Sequence, residues 1–211
     1  VSDLMVMKKT QSLPDKSLNP FTKYEKGTKE GLIFREANGL SFDFPYNDTT
    51  VYYIALEECT LHRCRISYKD QYTDSYYGHQ GPVYKIRCNP FDPNYFISCS
   101  YDWTAKIWNS KHSYPMINCH SEKTQSQVND VEWSPFTSTI FGLVADDGRI
   151  EIWDLAKHTV EPLITELPTN DISRKCFKFS RSSQVVATGN NDFDIDVFRL
   201  YNLEHVQVYN I

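Results

Sequence analysis

Two short motifs recur at one spacing, and this repetition constrains the chain more than any other feature. Asn89-Pro90-Phe91 returns as Ser134-Pro135-Phe136, and Ile107-Trp108-Asn109 returns as Ile152-Trp153-Asp154, each 45 residues further on. One offset shared by two separate motifs marks an internal repeat built from a single supersecondary unit. Around these motifs apolar residues alternate with polar ones, which is the period of a strand.

One unit is complete between Gly78 and Trp108. Gly78-His79 opens it, and Val83 to Cys88 reads as its first strand. Asn89-Pro90-Phe91-Asp92-Pro93-Asn94 forms a turn, because two prolines cannot sit in central strands and Asn and Asp favour turns. A second strand carries Ser98, a tight turn holds Asp102, and a third strand closes on Trp108. This order reads as a WD40 repeat. The expected fold class is therefore all-β, a partial WD40 β-propeller of about four four-stranded blades out of seven. Seven blades need about 300 residues. The chain has 211 and opens on Val, so a segment of a longer polypeptide is expected.

The residue types within the unit suggest a buried polar relay of His79, Ser98, Asp102 and Trp108. Each donor and acceptor would be answered, with charge-assisted bonds contributing roughly 1.5–3 kcal/mol apiece. A Ser-His-Asp hydrolase triad uses the same types, but it needs an exposed nucleophile and an oxyanion hole. Ser98 falls inside an alternating strand, which favours the structural reading.

The remaining units are set out relative to this one. Residues 1–39 are expected to hold the end of a preceding blade, with Leu4 and Val6 in a strand, followed by a long connection. Residues 40–77 form a repeat with strands near Leu40 to Phe44, Val51 to Leu56, Leu61 to Ile66 and Tyr72 to Tyr76. Residues 78–122 form the best-matched repeat, and 123–168 the next. In that third repeat Asp147 stands for Asp102, but Leu143 replaces Ser98 and Thr124 replaces His79. It is expected to have lost most of the relay and to rely on apolar packing around Trp133 and Trp153. Residues 169–211 form a worn repeat in which Thr188, Asp192 and Phe198 stand for Ser98, Asp102 and Trp108, and Val206 and Val208 lie in an outer strand or a tail.

Composition narrows the function. A formal charge of −5 without a Lys/Arg block argues against nucleic-acid and anionic-membrane binding. No apolar run reaches the roughly 18 residues needed to span a bilayer, and a soluble chain is expected. Six scattered cysteines suit reduced thiols rather than a disulfide framework. Cys59, His62 and Cys64 could ligate zinc, yet three local ligands at this spacing match no known knuckle, so no metal and no other cofactor is expected. The carboxylate pairs Glu57-Glu58 and Asp146-Asp147 fall in solvated turns, and no phosphate loop or nucleophile elbow appears. No enzymatic activity is expected. Trp103, next to Asp102 in its turn, is the candidate partner contact, since aromatics dominate interface hot spots; packing against a neighbouring loop is its alternative.

The run Tyr72-Thr73-Asp74-Ser75-Tyr76-Tyr77-Gly78-His79-Gln80-Gly81-Pro82-Val83-Tyr84, with Asn89-Pro90-Phe91 and Phe96 to Thr104, resembles the dynein intermediate chain family, and its axonemal members more than its cytoplasmic ones. Val131 to Pro135, Ile150 to Leu155 and Gly39 to Phe44 continue the resemblance. It implies a non-catalytic scaffold whose propeller binds a dynein heavy-chain tail and supports ciliary motility, with the inner-arm two-headed dynein as one candidate complex. Other dynein intermediate and light chains would be further partners, although nothing here matches the family's light-chain-binding region. The implied location is the cytoplasm, the cytoskeleton and the cilium axoneme. The alternative is a generic WD40 peptide-recognition adaptor of ubiquitin-ligase or signalling type.

Overall fold

The computed structural model describes residues 38–67, 72–120, 125–168 and 172–201. The strand expected around Leu4 and the outer strand or tail through Val206 and Val208 lie outside these residues. Among the described residues the regular structure is entirely β, in four antiparallel sheets. The first sheet is β1 (Gly39–Asp43), β2 (Val51–Leu56), β3 (Thr60–Arg65) and β4 (Tyr72–Tyr77). The second is β5 (Val83–Cys88), β6 (Tyr95–Ser100), β7 (Thr104–Asn109) and β8 (Ile117–His120). The third is β9 (Val128–Trp133), β10 (Ile140–Ala145), β11 (Ile150–Asp154) and β12 (Ile164–Glu166). The fourth has three described strands, β13 (Arg174–Phe179), β14 (Val185–Asn190) and β15 (Ile195–Arg199). Every sheet runs in sequence order, as a blade of a propeller does.

Local chemistry explains the turns. Asn89 Oδ1 accepts the amides of Phe91 and Asp92, and Ser134 Oγ accepts that of Phe136, so the recurring motif closes the same first-to-second strand turn in two blades. The second-to-third strand turns share a backbone feature that alternation does not reveal. Cys59, Trp103, Gly148 and Phe193 occupy equivalent places and have φ of 64°, 68°, 79° and 66°. The left-handed conformation costs a non-glycine residue roughly 1–2 kcal/mol, so only Gly148 meets this requirement without strain.

The first strands β1, β5, β9 and β13 lie side by side, and the sheets stack through three apolar cores. Tyr53, Leu61 and Tyr76 of the first sheet meet Ile86, Phe96 and Trp108 of the second. Ile97, Cys99 and Ile107 meet Val131, Trp133, Phe141 and Trp153. Ile140, Val144 and Ile152 meet Phe177, Phe179 and Val186. Gly142 permits this last contact, because a Cβ there would lie 2.3 Å from the Phe177 ring.

Polar side chains also tie each first strand to the next. Asp43 Oδ2 accepts the Cys88 amide at 2.8 Å, Asp130 Oδ2 the Phe177 amide at 3.0 Å, and Glu132 Oε2 the Phe179 amide at 2.8 Å. Between the second and third sheets the Trp133 indole donates to the Arg87 carbonyl at 3.1 Å. Three first-strand amides, at the first and third of these junctions, are thereby satisfied by side chains from the blade before.

Candidate functional site

The complete repeat brings its four singled-out side chains into one chain of hydrogen bonds. Trp108 Nε1 donates to Ser98 Oγ at 2.8 Å, Ser98 Oγ lies 2.7 Å from His79 Nε2, and His79 Nδ1 lies 2.8 Å from Asp102 Oδ2. The strand β6 places Ser98 and β7 places Trp108, while Asp102 is held in the intervening turn by the amides of Gln80 and Thr104 and by the Thr104 hydroxyl. One tautomer satisfies every group. Ser98 accepts from Trp108 and donates to His79 Nε2, so His79 carries its proton on Nδ1 and donates to Asp102.

The electrostatics agree with a neutral imidazole beside a carboxylate. Burial lowers the His79 pKa, outweighing the pull of Asp102. Burial alone would raise the Asp102 pKa, but the bonds from His79, Thr104 and the Gln80 amide hold it well below the ordinary carboxylate value. Ser98 is 0% exposed, so its oxygen is closed to any external carbonyl. The geometry has the order of a catalytic triad, with its hydroxyl secluded from solvent.

The third blade corrects the expectation that apolar packing alone replaces the relay. Trp153 Nε1 donates to Glu151 Oε2 at 3.0 Å, Arg149 Nε donates to Glu151 Oε1 at 2.9 Å, and Arg149 Nη1 reaches Asp147 Oδ2 at 2.7 Å. Arg149 and Glu151 are both buried. A charged ladder from the turn before β11 into that strand stands in the place of His79 and Ser98. Its signal in the sequence is Arg149, Glu151 and Trp153 at every second position leading into and along β11, with Asp147 in the turn. In the fourth blade Thr188 is buried with its hydroxyl unpartnered, and Phe198 offers no N–H to it.

Trp103 stands 44% exposed on the turn beside Gln80 to Pro82, where the Tyr101 amide donates to the Pro82 carbonyl. Phe193, at the equivalent turn of the fourth blade, is 98% exposed. Sequence alternation passes over Phe193 because it lies in a turn rather than a strand. At the opposite end of the first strands, a cleft of about 380 Å³ is lined by residues of all four blades, its charged groups being Asp43, Arg87, Glu132, Lys178 and Arg181.

His62, considered with Cys59 and Cys64 as a zinc ligand, has other partners. His62 Nδ1 bonds Ser75 Oγ at 2.9 Å and its ring stacks on Tyr72 at 4.0 Å. Among the described residues no group of three His, Cys, Asp or Glu side chains is placed to hold an ion.

Residues 44–200 match the family described as the dynein axonemal intermediate chain 3 WD40 domain. The chain belongs to this dynein intermediate chain family. Dynein axonemal intermediate chain 4 of Rattus norvegicus is 38% identical over 95% of the chain and 24% of its own length. The Homo sapiens protein of that name is 37% identical over 97% of the chain and 23% of its own length. The ciliary dynein intermediate chain 2 of Heliocidaris crassispina is 37% identical over 59% of the chain and 18% of its own length. This intermediate chain sequence thus spans about a quarter of the curated relatives it matches. The resemblance carried by Tyr72 to Leu155 is borne out at the level of the family, and the four stacked sheets fit a partial propeller of the WD40 domain that the family description names.

Proposed function

We propose that this propeller segment is a non-catalytic scaffold of an axonemal dynein, acting in the cilium by binding the tail of a dynein heavy chain. Its membership of the axonemal intermediate chain family carries the reading. The physical support is a stack of sheets locked by three cores and by side-chain bonds between first strands, which holds turns at fixed separations without chemistry of its own. The hydroxyl that would be a nucleophile is buried and committed to Trp108 and His79. Trp103 is proposed as a contact on the exposed turn face.

The test is purification of the intact protein from axonemes under conditions that preserve complexes. A dynein heavy chain should co-purify, and cross-links should join its tail to the propeller turns. Complete absence of heavy chains from a preparation that retains other axonemal partners would reject the reading.

A further inference from the structure

We infer that the second-to-third strand turns form a docking face for a basic, Arg- or Lys-bearing segment of a partner protein, with Trp103 and Phe193 as its aromatic anchors. This deepens the scaffold reading and rests on it. Four equivalent turns share a left-handed residue, and the third shows what the backbone alone prefers, namely Gly148. Two of the others hold aromatics there instead, 44% and 98% exposed. Neither residue joins the apolar cores between the sheets. An aromatic kept on a strained turn and turned toward water marks a contact rather than a support.

The charge around the Phe193 ring selects the partner. Glu57 and Glu58 flank the first turn, Asp146 and Asp147 the third, and Asp192 and Asp194 stand exposed on either side of Phe193. Asp146 and Asp147 are already paired, with Lys175 and Arg149, so the exposed carboxylates next to an aromatic of this face are Asp192 and Asp194. A guanidinium or ammonium would find carboxylates beside a ring face, where cation–π attraction adds to ion pairing. An acidic segment would meet like charge at the fourth turn, where Asp192 and Asp194 stand exposed.

The intact protein tests this with two probes, a synthetic amphipathic peptide bearing Arg and Leu, set against its Glu counterpart, and the purified heavy-chain tail. Trp103→Gly and Phe193→Gly should leave Tm unchanged or raise it, because glycine accepts the left-handed backbone more readily. Each should weaken the Arg peptide and the tail at least about tenfold. Asp192→Asn with Asp194→Asn should weaken the Arg peptide and flatten its salt dependence. A fall in Tm in the glycine variants, or equal binding of the Glu peptide, would overturn the docking face. Undiminished tail binding in both stable variants would also overturn it while leaving the heavy-chain reading intact. Aromatic-dependent binding of the Arg peptide with no binding of the tail would uphold the face and reject the heavy chain as its partner.

Discussion

Trp108 and Trp153 occupy the same place in successive blades, yet the indole of one donates to the Ser98 hydroxyl at 2.8 Å and that of the other to the Glu151 carboxylate at 3.0 Å. Both rings are fully buried and stack parallel on an aromatic of the neighbouring strand, Phe96 and Phe141 respectively. These two blades therefore share a buried ring with an answered N–H at this place, and differ in the acceptor that answers it. Ser98→Ala would strand the Trp108 N–H and remove a partner from His79. A loss of about 2–3 kcal/mol in denaturant unfolding is expected.

The charged ladder of the third blade is more sensitive to partial removal than to joint replacement. Arg149→Leu leaves Glu151 ionised and buried, and should cost about 3–5 kcal/mol. Adding Glu151→Gln removes that charge while keeping a carbonyl oxygen for the Trp153 N–H. The double variant should recover at least half of the loss, measured as a coupling in a double-mutant cycle.

Gly142 and Phe177 interlock the third and fourth blades. Gly142→Ala places a methyl against the Phe177 ring, where the added Cβ would meet it at 2.3 Å. A destabilisation of about 1–3 kcal/mol is expected. Phe177→Leu in the same background should return part of it, seen as a rise in Tm relative to Gly142→Ala alone.

His62 should make stability depend on pH in a defined window. Burial takes its pKa from 6.5 down to about 4. Between these values the unfolded chain binds a proton that the folded chain excludes. Stability is then fully present above pH 6.5 and falls as the pH drops toward 4, by roughly 3 kcal/mol at most. His79 is shifted in the same direction and adds to the slope. The carboxylates held low, Asp102 and Asp146, lose their contribution only below their ordinary value of 3.8, outside this window. His62→Gln should flatten the slope in urea titrations run from pH 7 to pH 4.5.

The strands were legible because alternation and turn chemistry are local. Val51–Leu56, Val83–Cys88 and the turn at Asn89-Pro90 form where their own residues dictate, and the four relay residues lie within hydrogen-bond reach of one another. Arg149 and Glu151 were not legible by comparison with the second blade. They stand where Thr104 and Lys106 stand there, so a search for a second His and Ser finds nothing. The common left-handed position was hidden because its residues, Cys59, Trp103 and Phe193, are not the glycine or asparagine that such a conformation usually selects.

By itself the sequence determined the repeat, its strand period, the turn motifs and the family, since each rests on residues within one unit or on a fixed spacing between units. Tertiary structure alone decided how the units meet. It set Asp43 against the Cys88 amide and Phe177 over Gly142, and it exposed Phe193 with Trp103. These outcomes depend on which side chains of one blade face the next, a relation between residues about 35–90 apart that neither propensity nor period encodes.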